Sequence, residues 1–170
     1  MRLTEKDFWI ALHGLVLGSA YLLAFGGGIA GLWSLRPQWI TEDGVRERLR
    51  RLQIGTWAML ISCWSSVLTG TYVVYIWYRD KSPNSAKSQL MADPLKAVWH
   101  TFGMEWKEHI SWVSPMLTTT VAFLIYWYGK DLLYRDEIRR AALLLFSLAF
   151  FAAAVAGLLG AFINKVSPMF

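Results

Sequence analysis

A chain of 170 residues with 55% hydrophobic and only 17% charged residues is long enough for one domain but too apolar for an ordinary soluble one. The formal net charge of +5 is small beside that apolar mass. The Arg and Lys residues lie next to the apolar runs, which fits anionic lipid headgroups and argues against nucleic acid as a partner. The single cysteine, Cys63, excludes a disulfide framework and a thiolate metal cluster within this sequence.

Four apolar segments follow one another along the chain, and each is long enough to match the ~20 residues that a helix needs to cross the hydrocarbon of a bilayer. They predict membrane-spanning helices over residues 8–33, 54–78, 106–129 and 138–164. Mixed charges ahead of the first segment, together with its length, favour a retained helix over a cleaved signal peptide. The sequence therefore predicts an all-α integral membrane protein. Its expected architecture is a four-transmembrane-helix up-down bundle that forms one domain, residues 1–170.

Two short interfacial helices are predicted beside these spans. One covers residues 41–53, where glutamates precede arginines by four residues, a spacing that supports a helix through ion pairs. The other covers residues 94–102, with Asp93 as its N-cap and Pro94 in its first turn. Gly103 is expected to end this second helix or to act as a hinge before the third span.

Basic residues set the expected orientation in the membrane. They are densest in the connections after the first and third spans, so these connections are expected to face the cytoplasm of a bacterial inner membrane. Both termini and the long connection before the third span are then expected on the outer, periplasmic side. Trp and Tyr residues cluster at the predicted span ends, as is typical of a membrane–water interface.

The histidines are the most informative polar residues, and there are three: His13, His100 and His109. If the spans run up and down, all three fall in the outer half of the bundle, and an ionisable residue inside a span indicates a functional site. Below His13 on the same helix face lies a column of small residues, namely Ala20, Ala24, Gly27 and Gly31. Small residues leave room for a flat cofactor or allow close helix packing. We predict that His13 and His109 ligate the iron of one b-type haem near the outer face.

Glu105 and His100 complete the predicted cofactor-binding set. Glu105 lies four residues before His109, so it shares a helix face with it and is expected to hold its second ring nitrogen or to accept a proton. His100 is expected to bind a quinone carbonyl, to ligate a second cofactor or to lie at the interface without a ligand. A divalent-metal site built from His100, Glu105, Glu108 and His109 is a further alternative. Lys107 is expected to pair with a haem propionate.

Several chemistries lack their sequence signatures. No CxxCH motif occurs, which excludes covalently attached c-type haem, and the common nucleotide-binding and hydrolase motifs are missing as well. The first, second and fourth spans contain no carboxylate, which argues against a proton-coupled transporter. Four spans with histidines on facing helices resemble the plan of small b-type cytochrome subunits, and this likeness is one of architecture alone.

The predicted function is a membrane electron-transfer subunit of a respiratory or photosynthetic-type complex. It relays electrons between its haem b and quinone or a partner redox protein. The expected partners are the lipid bilayer and other membrane and outer-surface redox subunits, which carry the substrate chemistry of the oxidoreductase. Two alternatives stay open, namely a cofactor-free structural or assembly subunit of a larger complex and a quinone- or pigment-binding module.

Overall fold

A computed structural model describes residues 4–167, which fold into helices and connecting turns without a β-strand in that range. In chain order the helices are α1 (Glu5–Ser34), α2 (Glu42–Tyr78), the short α3 (Ala86–Ala92), α4 (Trp99–Leu133) and α5 (Asp136–Val166). The four long helices are long and apolar enough to cross a membrane. The predicted all-α class and its four long apolar helices are thus confirmed, whereas insertion into a bilayer and the up-down arrangement across it stay predictions.

Local sequence signals explain where the first two long helices begin. The Thr4 side chain accepts a hydrogen bond from the Asp7 amide at 3.2 Å, and the Asp7 carboxylate accepts one from the Thr4 amide at 3.0 Å, which is a capping box. The Thr41 hydroxyl accepts the Gly44 amide at 3.3 Å and caps α2 in the same manner. These bonds satisfy amides that the first helical turn leaves without an internal partner.

Neighbouring helices contact each other in opposite chain order. In the pair α1 and α2, His13 lies against Gly70 near one end, and Gly31 lies against Leu52 near the other. In the pair α2 and α4, Cys63 contacts Ser114, and Arg79 contacts Glu105. Phe25 and Gly28 of α1 likewise meet Phe150 and Phe146 of α5. The N-terminal part of α1 therefore lies at the same end of the bundle as the start of α4.

Apolar side chains form two buried clusters. The larger one is central and includes Met59, Val121 and Phe146, which have no exposed surface. The smaller one lies near the start of α4, where Leu90 of α3 packs with Tyr78, Met104 and Ile163. The Ser167 hydroxyl also donates to the Ala86 carbonyl at 3.2 Å, so α3 is fastened to the end of α5. The connection between α2 and α4 thus packs over this end of the bundle.

The structure differs from the sequence prediction at both expected interfacial helices. Residues 41–53 are the first turns of α2 rather than a separate helix, because their apolar residues Val45, Leu49 and Leu52 are buried with the bundle. In 94–102 the Asp93 carboxylate does accept the Leu95 amide at 3.0 Å, as expected of a cap. Turns follow, however, and the helix that begins at Trp99 continues through Gly103 as α4.

Candidate functional site

His13 is held by two reciprocal hydrogen bonds to Ser66 of α2. Its Nδ1–H donates to the Ser66 carbonyl at 2.8 Å, and the Ser66 hydroxyl donates to the His13 carbonyl at 3.1 Å. Because a carbonyl only accepts, Nδ1 must carry the proton, which leaves Nε2 of the neutral ring with a free lone pair. The imidazole is therefore oriented by its neighbours and presents one basic nitrogen.

Gly70 provides the space that the His13 ring occupies. A Cβ atom at this position would lie 2.6 Å from Cε1 of His13 and 3.3 Å from its Nε2. The first of these distances is well below the ordinary contact distance between carbon atoms, so only glycine lets α2 pass this close to the ring. The position of the imidazole thus depends on a glycine one helical turn beyond Ser66.

Lys107 of α4 reaches into the same region from the opposite side. Its methylene groups lie across Gly160 of α5, where an added Cβ would be 2.8 Å from Cε of the lysine. Within residues 4–167 the half-buried ammonium group makes no hydrogen bond or ion pair. A lysine that is not paired inside an apolar bundle is available to a ligand.

All four long helices border the space between these residues. We call this space the His13 cleft. Its polar and small lining residues are His13, Gly70, Tyr75, Tyr78, Lys107, Gly160, Asn164 and Ser167, and its apolar wall is formed by Val74, Met104 and Ile163. The free volume is about 50 Å³. That volume accommodates a few water molecules but not a porphyrin ring.

A charged network adjoins the His13 cleft where α2 ends. Arg79 donates to the carboxylates of Glu105 at 3.0 Å and Glu108 at 3.2 Å, and the Tyr75 hydroxyl donates to Glu108 at 3.1 Å. Burial acts to lower the pKa of Arg79, but Glu108, Tyr75 and Glu105 raise it above its ordinary value. The guanidinium therefore stays charged while it bridges two carboxylates.

His100 lies behind the cleft rather than in it. Its Nδ1 is 3.0 Å from the Tyr78 hydroxyl, and both side chains are buried. Tyr78 lines the His13 cleft, so it separates His100 from that space. His100 therefore meets the cleft only through Tyr78, and its predicted binding of a cofactor stays a prediction.

His109 faces away from the cleft. It is exposed, and its Nδ1–H donates to the backbone carbonyl of Glu105 on its own helix at 2.6 Å. It follows Lys107 by two residues, which places it about 200° around the helix from the lysine. The structure therefore does not place His109 next to His13. The haem that both histidines were predicted to ligate stays a prediction.

Glu105 also differs from its predicted role. Its backbone carbonyl rather than its carboxylate holds the imidazole of His109, and the carboxylate pairs with Arg79. Within residues 4–167 no group of three or more His, Cys, Asp or Glu side chains is placed to hold a metal ion. The alternative divalent-metal site built from His100, Glu105, Glu108 and His109 is thus not assembled in the part of the chain that the structure describes.

Three π-helical turns converge on this end of the bundle. They cover Ala11–Val16 in α1, Gly70–Val74 in α2 and Trp99–Met104 in α4. A π turn inserts one residue into a helix, and such turns occur frequently at functional sites. Each of the three contributes at least one residue to the lining of the His13 cleft, which marks the cleft as the best candidate site.

Sequence reasoning missed several of these residues. The sequence analysis does not identify Ser66, Gly70 or Tyr75 as site residues. The available signal was the sequence Ser66-x-x-x-Gly70 at helical spacing, which places a hydroxyl and an open position on one face. Comparisons with protein-family models, curated proteins and solved structures found no match. The functional assignment therefore depends on the geometry of this chain.

Proposed function

We propose that this chain is a membrane subunit that binds the head group of a quinone-type molecule in the His13 cleft and passes electrons between that molecule and partner redox subunits. The observation that carries the proposal is the oriented imidazole of His13. Its Nδ1–H is fixed on the Ser66 carbonyl at 2.8 Å, and its Nε2 is left free beside Lys107.

Two polar groups of the cleft, those of His13 and Lys107, suit the two ends of a quinone ring. Nε2 of His13 accepts a hydrogen bond from a quinol hydroxyl, and the Lys107 ammonium donates one to a quinone carbonyl. The rings of Tyr75 and Tyr78 supply an aromatic wall, and the cleft lies among apolar helices that suit an isoprenoid tail. Ligand sites of this kind combine a mainly apolar lining with a few polar groups that fix orientation.

Entry of a quinone ring requires the Lys107 side chain to move. The free volume of about 50 Å³ is smaller than such a ring. The methylene groups of Lys107 fill the adjoining space over Gly160, and a lysine side chain has several rotatable bonds. We expect rotation of this one side chain to open the cleft.

We also propose that the four long helices cross the bilayer with the His13 cleft near the outer face. The densest basic connections support this orientation, because they lie at the opposite end of the bundle and favour the cytoplasmic side. A Cys63→Ser chain that carries Gln38→Cys or Ser82→Cys tests it with a thiol reagent that does not cross membranes. We expect labelling of position 82 alone from the outside, and labelling of position 38 alone contradicts the orientation.

Quinone binding is tested by quenching of tryptophan fluorescence with a short-chain ubiquinone in detergent. His13→Ala removes one hydrogen bond of about 0.5–1.5 kcal/mol, so we expect the Kd to rise roughly two- to tenfold. His109→Ala is the matched control, because its ring faces away from the cleft, and we expect the wild-type Kd. Equal Kd values for both variants, or no saturable quenching by the wild type, contradict the proposal.

A b-type haem is the second candidate for the lone pair of His13. It is favoured by one observation, since His13 and His109 both donate Nδ1–H to a backbone carbonyl, which is how iron-ligating imidazoles are commonly oriented. The visible spectrum of protein expressed with ample haem distinguishes the two candidates. A haem α-band that is lost in both His13→Ala and His109→Ala supports ligation by this pair, and a featureless spectrum eliminates it.

A further inference from the structure

The Tyr75 hydroxyl connects the His13 cleft to a carboxylate on its outer side. Tyr75 lines the cleft, and its hydroxyl donates to Glu108 at 3.1 Å. An ionised carboxylate only accepts hydrogen bonds, so the direction of this bond, from the cleft toward Glu108, is fixed by chemistry. The Glu108 side chain keeps 27% of its surface exposed, and its partner Arg79 lies just beyond the end of α2.

Glu108 is one of two carboxylates in the network beside the cleft. Arg79, the residue after α2, contacts both Glu105 and Glu108, so two carboxylates share one guanidinium at 3.0 and 3.2 Å. Lys107, the preceding residue in α4, is the other cation near Glu108. Of the two carboxylates, Glu108 is the one that accepts the hydrogen bond of the Tyr75 hydroxyl.

The neighbouring pair offers a less suitable route. His100 is only 7% exposed, and the hydrogen bond between its Nδ1 and the Tyr78 hydroxyl has no direction fixed by the partners. A proton that arrives at His100 has less access to water than one at Glu108. The exit from the cleft is therefore assigned to Tyr75 and Glu108.

We infer that Glu108 takes up a proton released in the His13 cleft when a quinol is oxidised there, with the Tyr75 hydroxyl as the relay. This inference depends on the proposed function. The quinol gives two electrons, one at a time, to a one-electron acceptor in a partner subunit, and it loses two protons. One proton binds Nε2 of His13. The other passes to the Tyr75 oxygen as the tyrosine gives its own proton to Glu108, and Glu108 then releases it to water.

Voltammetry of the full chain in a bilayer tethered to an electrode tests this step, with the electrode as the one-electron acceptor and a short-chain ubiquinol as the substrate. Slow scans report whether the quinone is bound and its midpoint potential, and fast scans report the rate of proton-coupled oxidation. General bases contribute at least ~100-fold to such rates. We expect Glu108→Gln to keep the slow-scan signal and to lose roughly this factor in rate.

Two further variants separate a proton relay from a structural effect. Glu108→Asp retains a carboxylate and should recover part of the rate, whereas Tyr75→Phe removes only the hydroxyl and should be slow like Glu108→Gln. Glu47→Gln is the control for loss of a carboxylate, because Glu47 pairs with Arg51 at the opposite end of the bundle, and it should oxidise quinol at the wild-type rate. Wild-type rates in Glu108→Gln with an intact slow-scan signal overturn this inference alone. Absence of the slow-scan signal from the wild type overturns the proposed quinone site and this inference with it.

Discussion

Replacing Gly70 by alanine tests the contact that places His13. The added Cβ would lie 2.6 Å from Cε1 of the imidazole and 3.2 Å from its Nδ1. The ring is oriented by its hydrogen bond to the Ser66 carbonyl, and the Ser66 hydroxyl holds the His13 backbone, so the new methyl group must displace the imidazole or push α1 away from α2. Either response disrupts the packing of these helices at the cleft.

The expected magnitude follows from two opposing effects. Overpacking costs about 1–3 kcal/mol, whereas replacing glycine by alanine inside a helix gains about 1 kcal/mol. Gly55→Ala lies on the same helix, and its added Cβ meets no atom within 4 Å, so this control variant has only the gain. The free energy of unfolding of Gly70→Ala should therefore be about 1–3 kcal/mol below that of Gly55→Ala.

The single cysteine provides the assay. Cys63 is 5% exposed in the core, so a thiol-reactive fluorescent dye reacts with it only as the bundle unfolds in detergent. For a chain of this size, each kcal/mol lowers Tm by about 2–4 °C. We expect Gly70→Ala to unfold several degrees below Gly55→Ala. Equal unfolding temperatures for the two variants refute the close approach of α2 to the His13 ring.

Two further substitutions test the packing of the bundle, each with a control of the same residue type. Gly28→Ala places a Cβ 2.5 Å from Cζ of the fully buried Phe146 ring, so its free energy of unfolding should be about 1–3 kcal/mol below that of Gly27→Ala. In Gly27→Ala the added Cβ meets no atom within 4 Å, so this variant has no overpacking cost. Equal free energies of unfolding for the two variants contradict the contact between α1 and α5. Ser114→Ala removes the hydroxyl that lies 3.1 Å from the buried Tyr21 hydroxyl of α1 and forms a hydrogen bond with it. It should therefore cost about 1 kcal/mol by the same thermal assay. A Ser147→Ala loss as large as that of Ser114→Ala refutes this, because the exposed Ser147 hydroxyl bonds only to its own helix.

The helices could be predicted from the sequence because apolar runs of this length have few alternatives to a long helix. It was harder to predict which neighbouring segments join into one helix, as residues 41–53 illustrate. Their charges suggest a surface helix, but Val45, Leu49 and Leu52 recur at helical spacing, and their burial joins this segment to the bundle. The sequence contains this pattern, but the arginines between these apolar residues obscure it.

The site was predicted only in part, and the reason is the helical phase. His13 was identified because a histidine inside an apolar span is unusual. The direction of His109 was not identified, since a histidine at the start of an apolar span was expected to face the bundle interior, whereas the structure turns it outward. The π turn at Trp99–Met104 adds one residue and rotates all later residues of α4 by about 100°. No pattern in the hydrophobic residues indicates such a turn.

The central claim is that the His13 cleft holds a quinone head group, and photoaffinity labelling tests it most directly. The purified chain is illuminated with an azido-substituted short-chain ubiquinone, and the labelled peptides are identified by mass spectrometry. The account predicts labelling of cleft residues such as Tyr75, Met104 and Ile163 that excess unmodified ubiquinone prevents and that His13→Ala weakens. Labelling confined to outward-facing residues, or labelling that unmodified ubiquinone does not reduce, contradicts it.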